Sequence, residues 1–206
     1  MGNNRSDLTG QFKNTLAGKK VFVAIDAANL FFATNKARLK IDYKQLFNWF
    51  NISSDLVECV YYTAFDPEDE KQREFLTELE SNGYKLNQKP IKKFDDQIKG
   101  NMDIELAVDV LARVDDFDVL VLLSGDGDFT YLVQSLKEKN KHIIALGVGG
   151  FMSFELHNEV DNYYFLERVR EAWATPRQAK MVALSDSVVI SVEHTNPNIK
   201  PKLRDK

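Results

Sequence analysis

Short runs of apolar residues alternate along the chain with longer segments in which apolar positions return every three or four residues. VFVAID (21–26), DVLVLLS (118–124) and HIIALGV (142–148) are apolar at successive positions between polar ends, and DLVECVYYTAF (55–65) is rich in Val and Tyr. That pattern marks strands covered on both faces, as in the middle of a parallel sheet. YKLNQKPIKKF (84–94) and NYYFLE (162–167) read as two further strands. Pro90 has no N–H to give a ladder, so the first of these is an edge strand or an interrupted one. Helical periodicity fills the intervals around 30–37, 42–50, 66–82, 102–114, 129–139 and 152–159. Asp66 followed by Pro67 and acidic residues predicts a helix start there, and Gly83 predicts its stop. In the helix at 102–114, Ile104, Ala107, Val108 and Leu111 fall on one face as its apolar stripe. Strands alternating with helices predict a three-layer, Rossmann-like α/β fold with a mainly parallel central sheet.

Residues 1–18 read as an N-terminal extension with a short helix around Leu8 to Leu16, and 19–173 as the main domain. Residues 174–206 read as a C-terminal appendage, broken by Pro176, Pro197 and Pro201 and disordered in part. One β-like run lies in it, SDSVVISVEH (185–194). Packing of that run on a second subunit makes a homodimer a candidate assembly. With 206 residues, 44% of them hydrophobic, the chain can bury one sizeable core. No apolar run approaches the roughly 20 residues that a membrane span needs, and the first residues lack an apolar signal core. The single cysteine, Cys59, sits inside a strand run and reads as a buried hydrophobe. Together these features predict a cytoplasmic protein. The net charge of −4 argues against a protein that coats nucleic acid electrostatically. It does not argue against an enzyme whose acidic centre is neutralised by cations.

In an open α/β sheet, ligands gather beyond the carboxyl ends of the strands. The first strand ends on Asp26, with Asn29 just past it. The strand 118–124 ends on Ser124 and delivers Asp126 and Asp128. These are the two most buried-looking strands, so they are expected to be neighbours, with three carboxylates converging at one sheet edge. Asp103, at the start of the intervening helix, is the fourth expected ligand. Asp109 is six residues on and about 120° round the helix, so it is read as a helper or a neighbour. Carboxylates crowded without counter-charge repel, and divalent cations remove the conflict. All-oxygen donors without His or Cys select magnesium or manganese (Mg²⁺ or Mn²⁺) over zinc. The bland alternative for these acids is turn and helix capping, and it weighs most for Asn29. Lys85, Lys89, Lys92, Lys93 and Lys99 gather before the helix, as a phosphate-guiding rim or as the protection of a sheet edge. Lys99 and Ser124 are the expected substrate contacts. Phe31 and Phe32 are expected to pack in the core rather than to stack a base.

Asp26-Ala27-Ala28-Asn29, Lys99-Gly100-Asn101-Met102-Asp103 and Ser124-Gly125-Asp126-Gly127-Asp128-Phe129 together resemble the NYN domain, in particular its LabA-like branch. The match runs in order over about 20–167, and the last motif is its most specific part. Two residues separate Gly100 from Asp103 where many relatives have one. The resemblance implies a PIN-like fold and a metal-dependent ribonuclease, leaving 5′-phosphate and 3′-hydroxyl ends. It places the metal ligands on Asp26, Asp103, Asp126 and Asp128, with Asn29 beside them. An RNA-binding or regulatory protein of the same fold with little cleavage is the competing reading. A phosphatase of small esters is a third, weakened because haloacid-dehalogenase-type enzymes need D-x-D where this chain has D-A-A-N.

Overall fold

The computed structural model describes residues 8–94 and 97–175. The run expected as a strand at 185–194, with the appendage beyond Thr175, lies outside the described residues. The first half of the chain gives α1 (Thr9–Leu16), β1 (Lys20–Asp26), α2 (Ala27–Ala37), α3 (Tyr43–Ser53), β2 (Asp55–Phe65), α4 (Glu70–Ser81) and β3 (Lys85–Pro90). The short strands β4 (Lys92–Phe94) and β5 (Gln97–Lys99) form a separate antiparallel pair. Then follow α5 (Asp103–Ala112), β6 (Val119–Leu123), α6 (Thr130–Lys137), β7 (His142–Gly147), α7 (Phe154–Glu159) and β8 (Asn162–Phe165).

Six strands pair in the order β3-β2-β1-β6-β7-β8, and every pairing is parallel. The sheet is buried on both faces. Val21, Val23 and Ile25 point into one core with Phe12 of α1, Leu30 of α2, Phe50 of α3 and Leu79 of α4. Phe22 and Ala24 point into the other with Leu106 of α5, Val133 of α6 and Leu156 of α7. A strand that serves two cores has no solvent face, which is why β1 and β6 carry apolar residues at successive positions. β1 lies between β2 and β6, and the strand order reverses there. That is the topological switch point at which α/β sheets open a crevice. No described helix is long and apolar enough to cross a membrane.

Four local expectations change. Helix α4 starts at Glu70, capped by Asp69, whose carboxylate accepts the Gln72 N–H at 3.1 Å. Asp66 instead turns back on itself, accepting the Glu68 N–H at 3.1 Å, while Gln72 Oε1 accepts the Asp66 N–H at 2.7 Å. Part of the polar stretch 95–101 is the strand β5. Helix α5 buries Leu106 and Val110, with Met102 just before it; of the expected stripe, Ala107 and Leu111 pack partly against the same core, whereas Ile104 and Val108 are 76% and 61% exposed. This helix is apolar around most of its circumference, so periodicity alone could not choose its buried face. Finally, α1 lies in what reads as an extension, yet Phe12 stacks on Trp49 at 4.7 Å between ring centroids and meets Tyr164 at 4.6 Å. Replacing Phe12 by Ala is expected to cost about 3–5 kcal/mol, as for other fully buried aromatics, and urea unfolding will read it. A loss below about 1 kcal/mol would show that α1 is dispensable to the core.

Candidate metal centre

The crevice at the switch point is built by hydrogen bonds between two strand ends. Asp26, the last residue of β1, is 6% exposed. One of its oxygens caps α2 by accepting the Asn29 N–H at 3.2 Å, and the other accepts the Ser124 hydroxyl at 2.9 Å. Ser124 Oγ in turn accepts the Asp126 N–H at 3.1 Å. Asn29 Oδ1 accepts the Gly125 N–H at 2.9 Å. The turn after β1 and the loop after β6 are thereby stitched together across the sheet. Asp126 opens the short helical turn Gly127–Phe129 and accepts the Asp128 N–H at 3.0 Å. From the far side, α5 brings Asp103. Its N–H donates to Asn101 Oδ1 at 2.7 Å, and the Asn101 amide donates back to its carboxylate.

Asp103, Asp126 and Asp128 each present one carboxylate oxygen, and the three atoms lie within 4.8 Å of one another. Asp26 is not one of the three, but it lines the same crevice as Asn29, Asp103 and Asp126. Burial raises the Asp26 pKa above the ordinary carboxylate value. The Asn29 and Ser124 hydrogen bonds oppose that shift, and the charges of Asp103 and Asp126 add to it. Asp103 is raised as well, chiefly by burial, with Asp126, Asp128 and Glu105 adding repulsion against the bond from Asn101. Among the described side chains, no Lys or Arg ion-pairs with any of these four acids. The donor set fits a hard divalent cation: several carboxylate oxygens, no softer ligand in the cluster, and negative charge that no described side chain neutralises by an ion pair.

The NYN domain family model matches residues 20–167. The cyanobacterial low amplitude and bright protein LabA, from Synechococcus elongatus, is 34% identical over 161 residues, covering 73% of this chain and 86% of its own. The chain belongs to the NYN domain family. It stands in the LabA-like branch. A crystal structure of a protein of unknown function from Vibrio parahaemolyticus superposes with a TM-score of 0.66 at 28% identity, covering 72% of this chain and 93% of that one. The parallel sheet between two helical layers is a PIN-like fold, and NYN and other PIN-like domains are generally nucleases.

Within this NYN domain the expected residues separate into those brought together and those not. Asp26, Asn29, Asp103, Asp126 and Asp128 share the crevice region. Asp109 does not join the carboxylate trio. It accepts the Tyr62 hydroxyl at 2.6 Å and Arg113 Nε at 2.9 Å, and Arg113 also pairs with Glu58. Ser124, expected to touch substrate, is 1% exposed with its hydroxyl engaged between Asp26 and Asp126, so it holds the loops instead. Lys99 ends β5, but its side chain, with those of Lys92 and Lys93, lies outside the described residues. Lys85 and Lys89 are paired to Glu58 and Glu105. Phe31 and Phe32, expected in the core, are 66% and 56% exposed, and Phe32 lines the carboxylate crevice. Asn101 was missed altogether. Its only signal was position, two residues before a candidate ligand at a helix start.

The raised carboxylates predict a pH dependence with a definite sign. A folded-state pKa above the unfolded one means that the native protein binds more protons. The corresponding stability is complete below the ordinary carboxylate value of about 4 and is lost as pH rises through the raised values. Other acids, such as Glu105 and Glu159, are lowered by their partners and act in the opposite sense. The test is therefore a difference. In EDTA, Asp103→Asn should gain thermal stability relative to the wild type as pH rises from about 4 to 7. A constant difference across that window would remove the electrostatic account.

Proposed function

We propose that this NYN domain is a metal-dependent nuclease, a ribonuclease, that hydrolyses phosphodiester bonds at the crevice between β1 and β6. The observation that carries the reading is the trio Asp103, Asp126 and Asp128, oxygen atoms within 4.8 Å and without a cationic partner among the described side chains. These three would hold Mg²⁺ or Mn²⁺, and Asp26 would complete the set through lone pairs that Asn29 and Ser124 leave free. When bound, divalent ions supply an activated water and neutralise charge on the phosphate. The chain's own contribution is orientation. Asn29 fixes the backbone of the loop that carries Asp126, Ser124 ties that loop to Asp26, and Asn101 fixes the rotamer of Asp103. Membership of the family supports the nuclease class. The choice of RNA over DNA, the cytoplasmic location and a homodimer belong to the same proposal.

A single experiment separates this reading from that of an RNA-binding or regulatory protein with little cleavage. Purified protein is incubated with labelled RNA, labelled DNA and a chromogenic phosphate ester, in Mg²⁺, Mn²⁺ or EDTA. RNA cleavage that requires the metal is the expected result. RNA binding without cleavage would establish the regulator, and hydrolysis of the ester alone a phosphatase.

A further inference from the structure

Beside the carboxylates lies a cavity of about 570 Å³, at the carboxyl end of β2 between α2, α3 and α4. It adjoins the metal crevice, because Ala28, Ala64 and Gly100 line both. The partition between them is made of small, closely packed residues: a Cβ on Gly100 would lie 2.7 Å from that of Ala64. The volume falls in the range of roughly 300–1,000 Å³ typical of small-ligand sites, enough for one nucleotide.

Its lining has mixed chemistry. Phe31 stands on its wall two-thirds exposed, although Phe is a residue that folding normally buries. Phe75 and Tyr43 form a second aromatic wall, edge to face at 5.3 Å. Thr63 is buried, and its hydroxyl donates to the carbonyl of its own neighbour, Ala64, at 3.1 Å. Asn35 and Gln72 add amides, and the exposed Lys40 and Lys71 add positive charge against one carboxylate, Asp69, which caps α4. The aromatic walls suit a flat ring, the amides its polar edge, and the two ammonium groups outnumber the single carboxylate beside an attached phosphate.

We propose that this cavity is a nucleobase subsite, taking the base of a nucleotide that adjoins the phosphate held at the carboxylates. Phe31 stacks on the base, and Thr63 and Asn35 meet its edge. The inference rests on reading the carboxylate crevice as a phosphodiester site, and it adds a source of base preference that the carboxylates cannot supply.

The test is binding of short fluorescent RNAs to the full chain at low salt in Ca²⁺, a hard cation that oxygen ligands accept, followed by anisotropy. Each RNA carries one abasic nucleotide, moved position by position. Stacking on an aromatic side chain is worth about 1–3 kcal/mol per base, so loss of the base at one position should weaken wild-type binding about tenfold. Phe31→Ala should bind intact RNA about tenfold more weakly than the wild type and lose its sensitivity at that position. Thr63→Val, nearly isosteric, should change which base is preferred there. Phe31 is largely solvent-facing, so its variant keeps the core, and an unchanged urea midpoint will verify this. Uniform sensitivity along the RNA, an equal abasic penalty in the wild type and Phe31→Ala, or no RNA binding overturns the subsite. Metal-dependent cleavage is measured in parallel. Cleavage without the positional effect rejects the subsite and keeps the nuclease, whereas the positional effect without cleavage does the reverse.

Discussion

Replacing Asp126 by Asn is expected to lower metal-dependent RNA cleavage by at least about 100-fold, on the scale seen when one group that stabilises developing charge is removed. Asp126 is the informative choice because it has two separable jobs. One oxygen caps the turn Gly127–Phe129 through the Asp128 N–H, and Asn can perform that task equally well. The other job is to contribute negative charge to the trio with Asp103 and Asp128, and Asn cannot do so. Fold and function should therefore part company. In EDTA the variant should be at least as stable as the wild type, since one of several mutually repelling carboxylates has gone. In Mg²⁺ the wild type should gain thermal stability and the variant much less, by the usual linkage between ligand binding and folding. Single-turnover cleavage and melting curves with and without metal measure both arms. Full cleavage by Asp126→Asn, or an equal rise in melting temperature for the two proteins, would remove the trio from the chemistry.

The parts of the fold and site that the sequence revealed share a physical cause. The interiors of β1 and β6 are apolar at successive positions because they feed two cores, the demand placed on a central parallel strand. Their adjacency followed from that pattern, and the polar residues immediately after them had to fall at one edge. The failures share a cause as well. Of the stripe Ile104, Ala107, Val108 and Leu111, α5 keeps Ala107 and Leu111 partly against the core but presents Leu106 and Val110 to it and leaves Ile104 and Val108 exposed, a choice made by the partner surface and not by the helix. Phe31 and Phe32 are aromatic, which composition assigns to a core, yet α2 turns Leu30, Ala33 and Thr34 inward and leaves both rings beside the crevice and its neighbouring cavity. The contacts of Asn101, Ser124 and Asn29 are side-chain hydrogen bonds, two of which, between Ser124 and Asp26 and between Asn29 and Gly125, bridge residues 98 and 96 apart. No local pattern encodes pairings of that kind.

The second large effect is expected at Gly125, where space and not conformation forbids a side chain. A Cβ there would sit 2.1 Å from the Phe151 carbonyl oxygen and 2.9 Å from the Met152 Cα. Both are backbone atoms, held in place because the Ser153 N–H donates to the Gly125 carbonyl at 2.8 Å, and neither can swing away as a side chain would. Gly125→Ala must therefore move one of the two loops and break this bond, the bond from the Gly125 N–H to Asn29, or both. A destabilisation of about 1–3 kcal/mol is the usual scale of such overpacking. The functional loss should be larger than the stability loss suggests, because the displaced loop carries Asp126 and Asp128. A misplacement of about 1 Å at a reacting centre costs on the order of 100-fold in rate. Gly127→Ala provides the contrast. Its Cβ would meet Ser153 Oγ at 2.9 Å, a side-chain atom that can rotate, at the expense of the cap it gives α7 through the Leu156 N–H at 3.1 Å. Losing such a cap costs about 1 kcal/mol. Urea midpoints and cleavage rates for the two variants should therefore rank Gly125→Ala well below Gly127→Ala on both scales. The opposite ranking would mean that the loop after β6 is not the rigid support on which the carboxylates stand.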